Sequence, residues 1–329
     1  MLSAGACTGV NCLTREDFFS LALITAVTPQ GIPFMTETRL RQDGTISVII
    51  AAMLWGSTGV SAQYLLETTH SSPATVTMLR MGLAGSLLLT VGAIRERGKL
   101  LTIFTSLRDV LSLLFFTLAG AMAVQLTFLV TVAASDAATA TVLQFTSPAI
   151  VIVASCLLTR RMPGWRMVLA VCLAIAGAFL LVTHGSLTSL RISRTALTWG
   201  LISSVAAAFY VTWPVPLIRR YGAVPVVGWS LFIGGALLFL LSPDTRVTYS
   251  WGLPAILSAG YLIVVGTAVT FCLYLSGARK IGSARASAIC CIEPLVSAVL
   301  SVLLLHIAFG PADWTGTLMV LLAVGMMTR

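Results

Sequence analysis

Long apolar segments separated by short polar loops fill the chain from Ile46 to Met327. The segments are Ile46–Leu66, Pro73–Ile94, Val110–Val132, Ala137–Thr159, Pro163–Val182, Thr195–Ile218, Val224–Leu241, Leu253–Leu275, Ala284–Leu305 and Ala312–Met327. A helix needs about 20 predominantly apolar residues to cross a bilayer, and these segments lack the polar face of a soluble helix. The pattern predicts an all-α integral membrane protein with ten transmembrane helices.

Composition points to the same class, because 57% of the residues are hydrophobic and only 9% are charged. A soluble domain is nearer about 25% charged. The net charge of +9 does not indicate nucleic-acid binding, since basic residues accumulate in the cytoplasmic loops of membrane proteins. No basic stripe with interleaved aromatic residues is present, so no nucleic-acid partner is expected.

Residues 1–42 differ from the rest of the chain. Their one apolar run, Phe18–Val27, is too short to span a bilayer. Glu16 and Asp17 interrupt the basic region that a signal peptide would carry before it. We expect a disordered extension, or an upstream start codon with Met35 as the true first residue.

Basic residues divide unequally between the two sides of the predicted bundle. With a cytoplasmic N-terminus, 16 of the 20 Lys and Arg residues fall on the cytoplasmic side. Only Arg191, Arg194 and Arg246 fall on the opposite side, and Arg80 lies within a helix. Cytoplasmic loops carry an excess of basic residues, so an even number of helices and two cytoplasmic termini are expected.

Short motifs repeat at a nearly constant offset. Trp55-Gly56 recurs as Trp199-Gly200 144 residues later, Ser147-Pro148 as Glu293-Pro294 146 later, and Ala176-Gly177 as Val324-Gly325 148 later. The offsets predict two five-helix halves, at residues 43–184 and 195–329. Because five is odd, the halves enter the membrane in opposite directions, as in inverted-repeat carriers whose substrate site lies between the halves.

Glu293 lies in the middle of the apolar run Ala284–Leu305 and is followed by Pro294. A charge at mid-membrane costs roughly 2.5 to 3.5 kcal/mol on insertion scales, so it persists where it faces a protein interior or a wet cavity. Glu293 is therefore the candidate for proton coupling, because a carboxylic acid removed from water holds its proton more readily. Pro148 and Pro294 are predicted helix kinks, since proline removes a backbone donor.

Polar side chains follow helical spacing on the fourth and ninth segments. They are Gln144, Ser147, Ser155 and Thr159 on the fourth, and Ser287, Cys290, Glu293, Ser297 and Ser301 on the ninth. We expect these two stripes to face each other across a substrate cavity. The structural alternative is that Ser, Thr and Cys serve as small packing residues at helix contacts, an alternative that applies less to Gln144 and Glu293.

Arg80 is the second charge within the predicted membrane segments, and its estimated depth allows an ion pair with Glu293. Two functional roles are open: Arg80 binds a substrate carboxylate, or it restrains a gating carboxylate. Two structural roles are equally open: its side chain reaches the outer headgroups, or it pairs only for folding.

Further cavity candidates are aromatic or polar residues inside the segments. They are Trp55 and Trp199 as mirrored aromatics, with Gln125, Phe128, Tyr210, Thr270 and Tyr274. Aromatic walls suit amphipathic substrates or cations, although aromatic residues also serve as interfacial anchors.

No enzymatic constellation is visible in the sequence. His70, His184 and His306 lie far apart, and five of the seven cysteines lie in apolar runs, where thiols behave as small hydrophobes. An intramembrane enzyme would need a nucleophile with a base, or a metal cluster. We expect no enzyme, no metal and no cofactor.

These features together resemble the EamA group of the drug/metabolite transporter superfamily, over about residues 35–329. The resemblance rests on Trp55-Gly56-Ser57, Arg80, the paired Ser147-Pro148 and Glu293-Pro294, and ten helices in two halves. Relatives often carry Gly-Glu where this chain has Thr159-Arg160 and His306-Ile307, so a role for those glutamates is not carried over.

The resemblance implies an inner-membrane secondary carrier, an exporter of amino acids or related small metabolites, with a cavity formed by helices one to four and six to nine. The expected partners are a small-molecule substrate and the lipid bilayer, and the expected state is a monomer or a homodimer. A passive facilitator, a multidrug or toxic-compound efflux carrier, and a membrane sensor or scaffold are the alternatives.

Overall fold

The computed structural model describes residues 37–95, 100–147, 149–151, 153–154, 164–183, 193–246, 251–281, 286, 289–290 and 292–327. Within these ranges the regular structure is helical and no β-strand occurs, which confirms the all-α prediction. Residues 1–36 and the predicted kink at Pro148 lie outside the described residues.

The helices are named α1 to α10 in chain order. They are α1 Glu37–Thr69, α2 Pro73–Arg95, α3 Leu107–Ala134, α4 Ala137–Gln144, α5 Trp165–Thr183, α6 Arg194–Tyr221, α7 Ala223–Leu241, α8 Leu253–Ile281, α9 Ile292–Leu305 and α10 Pro311–Met327. Helix α1 starts earlier than the apolar pattern predicts and covers the end of the expected extension. Helix α6 contains a turn at Trp213-Pro214, where proline cannot donate a helical hydrogen bond.

Five helices are long and apolar enough to cross a membrane by length and composition. They are Gln42–Thr69, Pro73–Ile94, Leu107–Ala134, Arg194–Tyr221 and Ala223–Leu241. Shorter apolar helices cover Ala137–Val151, Val168–Gly177, Leu253–Val269 and Ile292–Leu305. Five spans are therefore clear in the described residues, and the count of ten stays a prediction.

Two π-helical segments occur at related places in the chain. One is Phe116–Met122 in α3, and the other is Tyr261–Val269 in α8. They begin 145 residues apart, close to the offset of the repeated sequence motifs. A π turn widens the helix by one residue and is frequent at functional sites, so both segments are relevant to the site described below.

The helix contacts keep the same pattern when the two halves are exchanged. Helix α1 packs on α8 and α9, and its counterpart α6 packs on α3 and α4. Helix α2 contacts the π segment of α8, and α7 contacts that of α3. The pairs α2–α7, α4–α9 and α5–α10 map onto themselves. The sequence repeat therefore has a structural counterpart in how the helices pair.

One set of contacts breaks this pattern. Helix α1 also packs on α3 and α4, and α2 packs on α3, whereas among the described residues α6 makes no comparable contact with α8 or α9, nor α7 with α8. The extra contacts lie near Gln63, whose side-chain oxygen accepts a hydrogen bond from Ala137 N–H at 2.8 Å. We call this end of the bundle the Gln63 end and the opposite end, where α3 begins, the Asp109 end.

Buried apolar residues differ between the two ends. At the Gln63 end, one continuous cluster joins α1, α2, α3, α4 and α8, through residues such as Leu65, Val76, Leu129, Ala137 and Ala259. Toward the Asp109 end, the apolar packing of the described residues is divided. One cluster joins α2, α3, α6, α7 and, through Ile263, α8, and another joins α1, α8 and residues preceding α9. Both clusters also join the two halves, so the two ends differ in the continuity of their apolar packing and not in whether it crosses the halves.

Candidate functional site

Arg80 on α2 and Glu293 on α9 lie near each other, and both side chains are partly exposed. The two groups are within electrostatic range of each other. Within the described residues, Arg220 and Asp109 form a close ion pair. Arg80 and Glu293 form no such pair, so their side chains are not in direct contact. The Arg80 guanidinium and the Glu293 carboxyl group are therefore near each other in the membrane region without direct contact.

The Arg80 side chain is anchored on one side. Its Nε donates a hydrogen bond to Thr267 Oγ1 at 3.2 Å, and Thr267 lies in the π segment of α8. Neither terminal nitrogen of Arg80 has a hydrogen-bond partner within the described part of the chain. A guanidinium group binds a carboxylate through two parallel N–H donors, and the two terminal nitrogens remain available for that geometry.

Tyr210 of α6 belongs to the same neighbourhood. It lies within electrostatic range of Arg80, and its ring packs on Phe116 with centroids 5.3 Å apart. Phe116 opens the π segment of α3. The site therefore receives side chains from α2, α6, α8 and α9, which belong to both halves of the chain.

An aromatic wall lies beside these charges. Trp55 of α1 is 5.1 Å from Tyr274 and 6.3 Å from Phe271, measured between ring centroids. The next residue, Gly56, approaches α9 so closely that a Cβ there would lie 2.6 Å from the Glu293 carbonyl oxygen. Glycine is therefore required at this point, because any larger residue would push α1 away from Glu293.

A hydroxyl contact links α4 to α9 one turn beyond Glu293. Thr141 Oγ1 and Ser297 Oγ lie 3.3 Å apart, and both side chains are buried. The next serine on this face, Ser301, is fully buried, and its hydroxyl has no partner among the described residues. Here α4 and α9 pack directly on each other through Thr141, which is not part of the predicted stripe. Ser155, Thr159 and Ser287 of the stripes lie outside the described residues, and a cavity between the stripes stays a prediction.

The other predicted site residues have varied surroundings. Gln144 Nε2 donates to Ser203 Oγ of α6 at 2.9 Å, and the Thr270 hydroxyl donates to Val265 O in its own helix. Phe128 packs with the continuous cluster at the Gln63 end. Trp199 is 37% exposed, so its surroundings do not mirror those of Trp55.

For three of the predicted site residues, the described contacts do not indicate a role. Gln125 of α3 and Ser147, after α4, are partly exposed. Pro294 is buried and lies in the first turn of the described part of α9. Pro148, the other predicted helix kink, lies outside the described residues.

Two cavities lie toward the Gln63 end. One of about 250 Å³ is lined by residues such as Gln63, Glu67, His70 and Ser135. The other, beside Arg80, is only about 10 Å³, which is room for about one water molecule. Arg80 is not among the residues that line the larger cavity.

Sequence reasoning missed Thr267 and Gln63. Thr267 lies within the apolar run Leu262–Val269, where a single threonine is typical of helix packing. Gln63 lies in the first apolar segment and is 2% exposed. A buried glutamine in a membrane segment needs partners, and that requirement is the signal by which Gln63 could have been found.

Comparison with known proteins gives consistent results. The model of the EamA-like transporter family matches residues 42–183 and again 194–329. The uncharacterized inner membrane transporter YicL of Salmonella typhimurium strain LT2 is 49% identical over 283 residues, which cover 85% of this chain and 93% of that protein.

A solved crystal structure described only as "Crystal structure of protein" has a TM-score of 0.59 and 15% sequence identity, covering 87% of this chain and 96% of that one. At that identity the likeness concerns the fold alone. The two family matches and the close relative decide the classification: this chain belongs to the EamA-like transporter family.

Proposed function

We propose that the protein is a secondary-active carrier of the inner membrane that exports amino acids or related small metabolites by alternating access. The observation that carries the proposal is the unequal packing of two similar halves around Arg80 and Glu293. Contacts that seal the Gln63 end have no counterpart at the Asp109 end among the described residues. In an inverted repeat of ten helices, exchanging these contacts between the halves would open one side and close the other.

The charge distribution supports a periplasmic Gln63 end. Glu67, Asp136 and Asp244 lie there, whereas Arg108, Arg219 and Lys280 lie at the Asp109 end. Basic residues favour the cytoplasmic side. Both termini are then cytoplasmic, and the described conformation is closed toward the periplasm.

The geometry of the site suits a zwitterion. The free edge of the Arg80 guanidinium binds a carboxylate, Glu293 binds an ammonium group or a proton, and Trp55 with Tyr274 provides an apolar wall. Glu293 is the candidate for proton coupling, because it is the carboxylate within electrostatic range of Arg80 and lies on the path between the halves.

The test is counterflow and proton flux in proteoliposomes that contain a pH-sensitive dye, with the twenty L-amino acids as the panel. We expect a subset of amino acids to drive proton movement in the wild-type protein. Glu293→Gln removes the titratable group and keeps the size, so it should abolish proton movement. Glu293→Asp is the matched control and should keep part of it.

Other outcomes separate the alternatives. Uptake that persists without proton movement in both proteins identifies a passive facilitator. Uptake of amphipathic cations in place of amino acids identifies a multidrug efflux carrier. If no compound moves in the wild-type protein, the carrier proposal is wrong for this panel.

A further inference from the structure

Thr267 is the side chain that fixes the position of Arg80. It is 7% exposed, and its Oγ1 accepts the hydrogen bond from Arg80 Nε at 3.2 Å. The same hydroxyl donates to Leu262 O at 3.0 Å, five residues earlier in the chain. A hydroxyl has one donor and two acceptor positions, so with its proton directed to Leu262 the oxygen faces Arg80 only as an acceptor.

The π segment makes this arrangement possible. In a regular α-helix a threonine hydroxyl bonds a carbonyl three or four residues earlier, as Thr127 does with Ala123 O. In the π segment the accepting carbonyl lies five residues back, as it does also for Thr270 with Val265 O. The wider turn therefore sets where the Thr267 oxygen points.

The equivalent π segment of α3 shows that the turn does not depend on a threonine at the position of Thr267. The position 145 residues before Thr267 is Met122, the last residue of that segment. Both segments contact the second helix of the opposite half, but only the α8 segment bonds an arginine there. The Thr267 to Arg80 bond is thus an addition to the shared fold.

Anchoring through Nε leaves one edge of the guanidinium for a ligand. Arginine presents its donors in a rigid planar fork. With Nε held by Thr267, the edge formed by the two terminal nitrogens has no partner in the described residues, and two parallel donors match a carboxylate. Lysine could not replace this geometry, because it offers a single charged nitrogen.

We propose that Thr267 is a positioning residue for substrate recognition, which holds Arg80 so that its two terminal nitrogens bind the substrate carboxylate bidentately. This inference rests on the proposed carrier function and names the carboxylate as the substrate group that the site recognises. Thr267 itself does not touch the substrate. Its loss should therefore weaken recognition of the carboxylate and leave the rest of the transport cycle intact.

The experiment compares two probes in proteoliposomes. L-phenylalanine and phenethylamine share the aromatic ring and the ammonium group, and only phenylalanine has a carboxylate; their ring suits the Trp55 and Tyr274 wall. Thr267→Val keeps the side-chain shape and removes both hydroxyl bonds. We expect the KM for phenylalanine to rise at least about fivefold, since hydrogen bonds to charged groups are among the stronger ones, with kcat little changed. The KM for phenethylamine should not change.

Two further variants separate positioning from folding. Thr267→Ser retains the hydroxyl and should restore the KM for phenylalanine. Thr117→Val is the matched control, because Thr117 is a fully buried threonine in the α3 π segment whose hydroxyl bonds only Leu113 O of its own helix. It should leave both KM values unchanged.

The results that contradict the inference differ from those that contradict the carrier function. If Thr267→Val behaves like Thr117→Val, or raises the KM of both probes equally, Thr267 does not position a carboxylate-binding arginine, and the carrier stands. If the wild-type protein transports neither phenylalanine nor any other amino acid of the panel, the proposed function and this inference fail together.

Discussion

The two ends of the helix bundle are built from the same helix pairings, yet they are packed differently. At the Gln63 end one apolar cluster crosses both halves, and Gln63 bonds the start of α4. Toward the Asp109 end the described apolar residues lie in separate clusters, each of which also joins the two halves. The helix pairings are otherwise largely alike, so under the proposed alternating-access function the difference reflects which side is closed.

The polar contacts between helices also differ between the two ends. Ser61 and Ser258 join α1 to α8 at 2.7 Å, and Asp109 and Arg220 join α3 to α6 at 2.7 Å. Each of these bonds joins two helices that already contact each other closely. The Gln63 bond to Ala137 instead crosses from α1 to α4, so under the proposed function we expect it to break when the Gln63 end opens.

A bulky residue at position 59 should break the closure most strongly. A Cβ on Gly59 would lie 3.3 Å from Ala137 Cβ and 3.5 Å from the Phe128 ring, so Gly59→Leu overpacks the seal. In a variant without the seven native cysteines, a cysteine at Leu65 reports opening through a membrane-impermeant maleimide applied outside. We expect labelling to rise about tenfold or more, and transport to fall to background.

Gly82→Leu is the control for this wedge, because a Cβ on Gly82 would meet no atom within 4 Å. It should change neither labelling nor transport. Equal effects of the two substitutions would mean that added bulk anywhere disturbs the protein. The interpretation that bulk at position 59 opens the Gln63 end would then be wrong.

Removal of the Gln63 amide should open the same end to a smaller extent. Gln63→Leu keeps a similar size but leaves the buried Ala137 N–H without its partner, at a cost of about 1 to 3 kcal/mol in the closed state. Labelling at position 65 should rise at least about fivefold. Ser61→Ala breaks a bond within the α1 to α8 pair and should leave labelling unchanged. Labelling raised by Ser61→Ala alone would place the moving boundary between α1 and α8.

The ion pair at the Asp109 end should matter least. Arg220 is 63% exposed in its contact with Asp109, and exposed pairs contribute little because water and salt screen them. We expect Asp109→Asn to lower the thermal midpoint by at most about 2 °C without changing labelling at position 65. A large loss of transport in this variant would mean that the pair acts as a gate, which the comparison of the two ends does not allow.

The sequence predicts the architecture better than the site. Apolar segment length and the 144- to 148-residue offsets reflect bilayer thickness and gene duplication, and both leave strong periodic signals. Arg80 and Glu293 stand out because charges are rare in such segments. Thr267 and the π segments leave no comparable signal, since a one-residue widening of a helix depends on tertiary packing. The unequal packing of the two ends has no sequence signature, because the repeated motifs predict equal halves.

Accessibility of the central site from each side tests the central claim most directly. Tyr210 lies beside Arg80, so a single cysteine at position 210 can be labelled with an impermeant maleimide in inside-out vesicles and in spheroplasts. We expect labelling of the resting protein from the cytoplasmic side and protection from the periplasmic side. Labelling from the periplasmic side alone, or equally from both sides, would contradict a carrier that is closed at the Gln63 end.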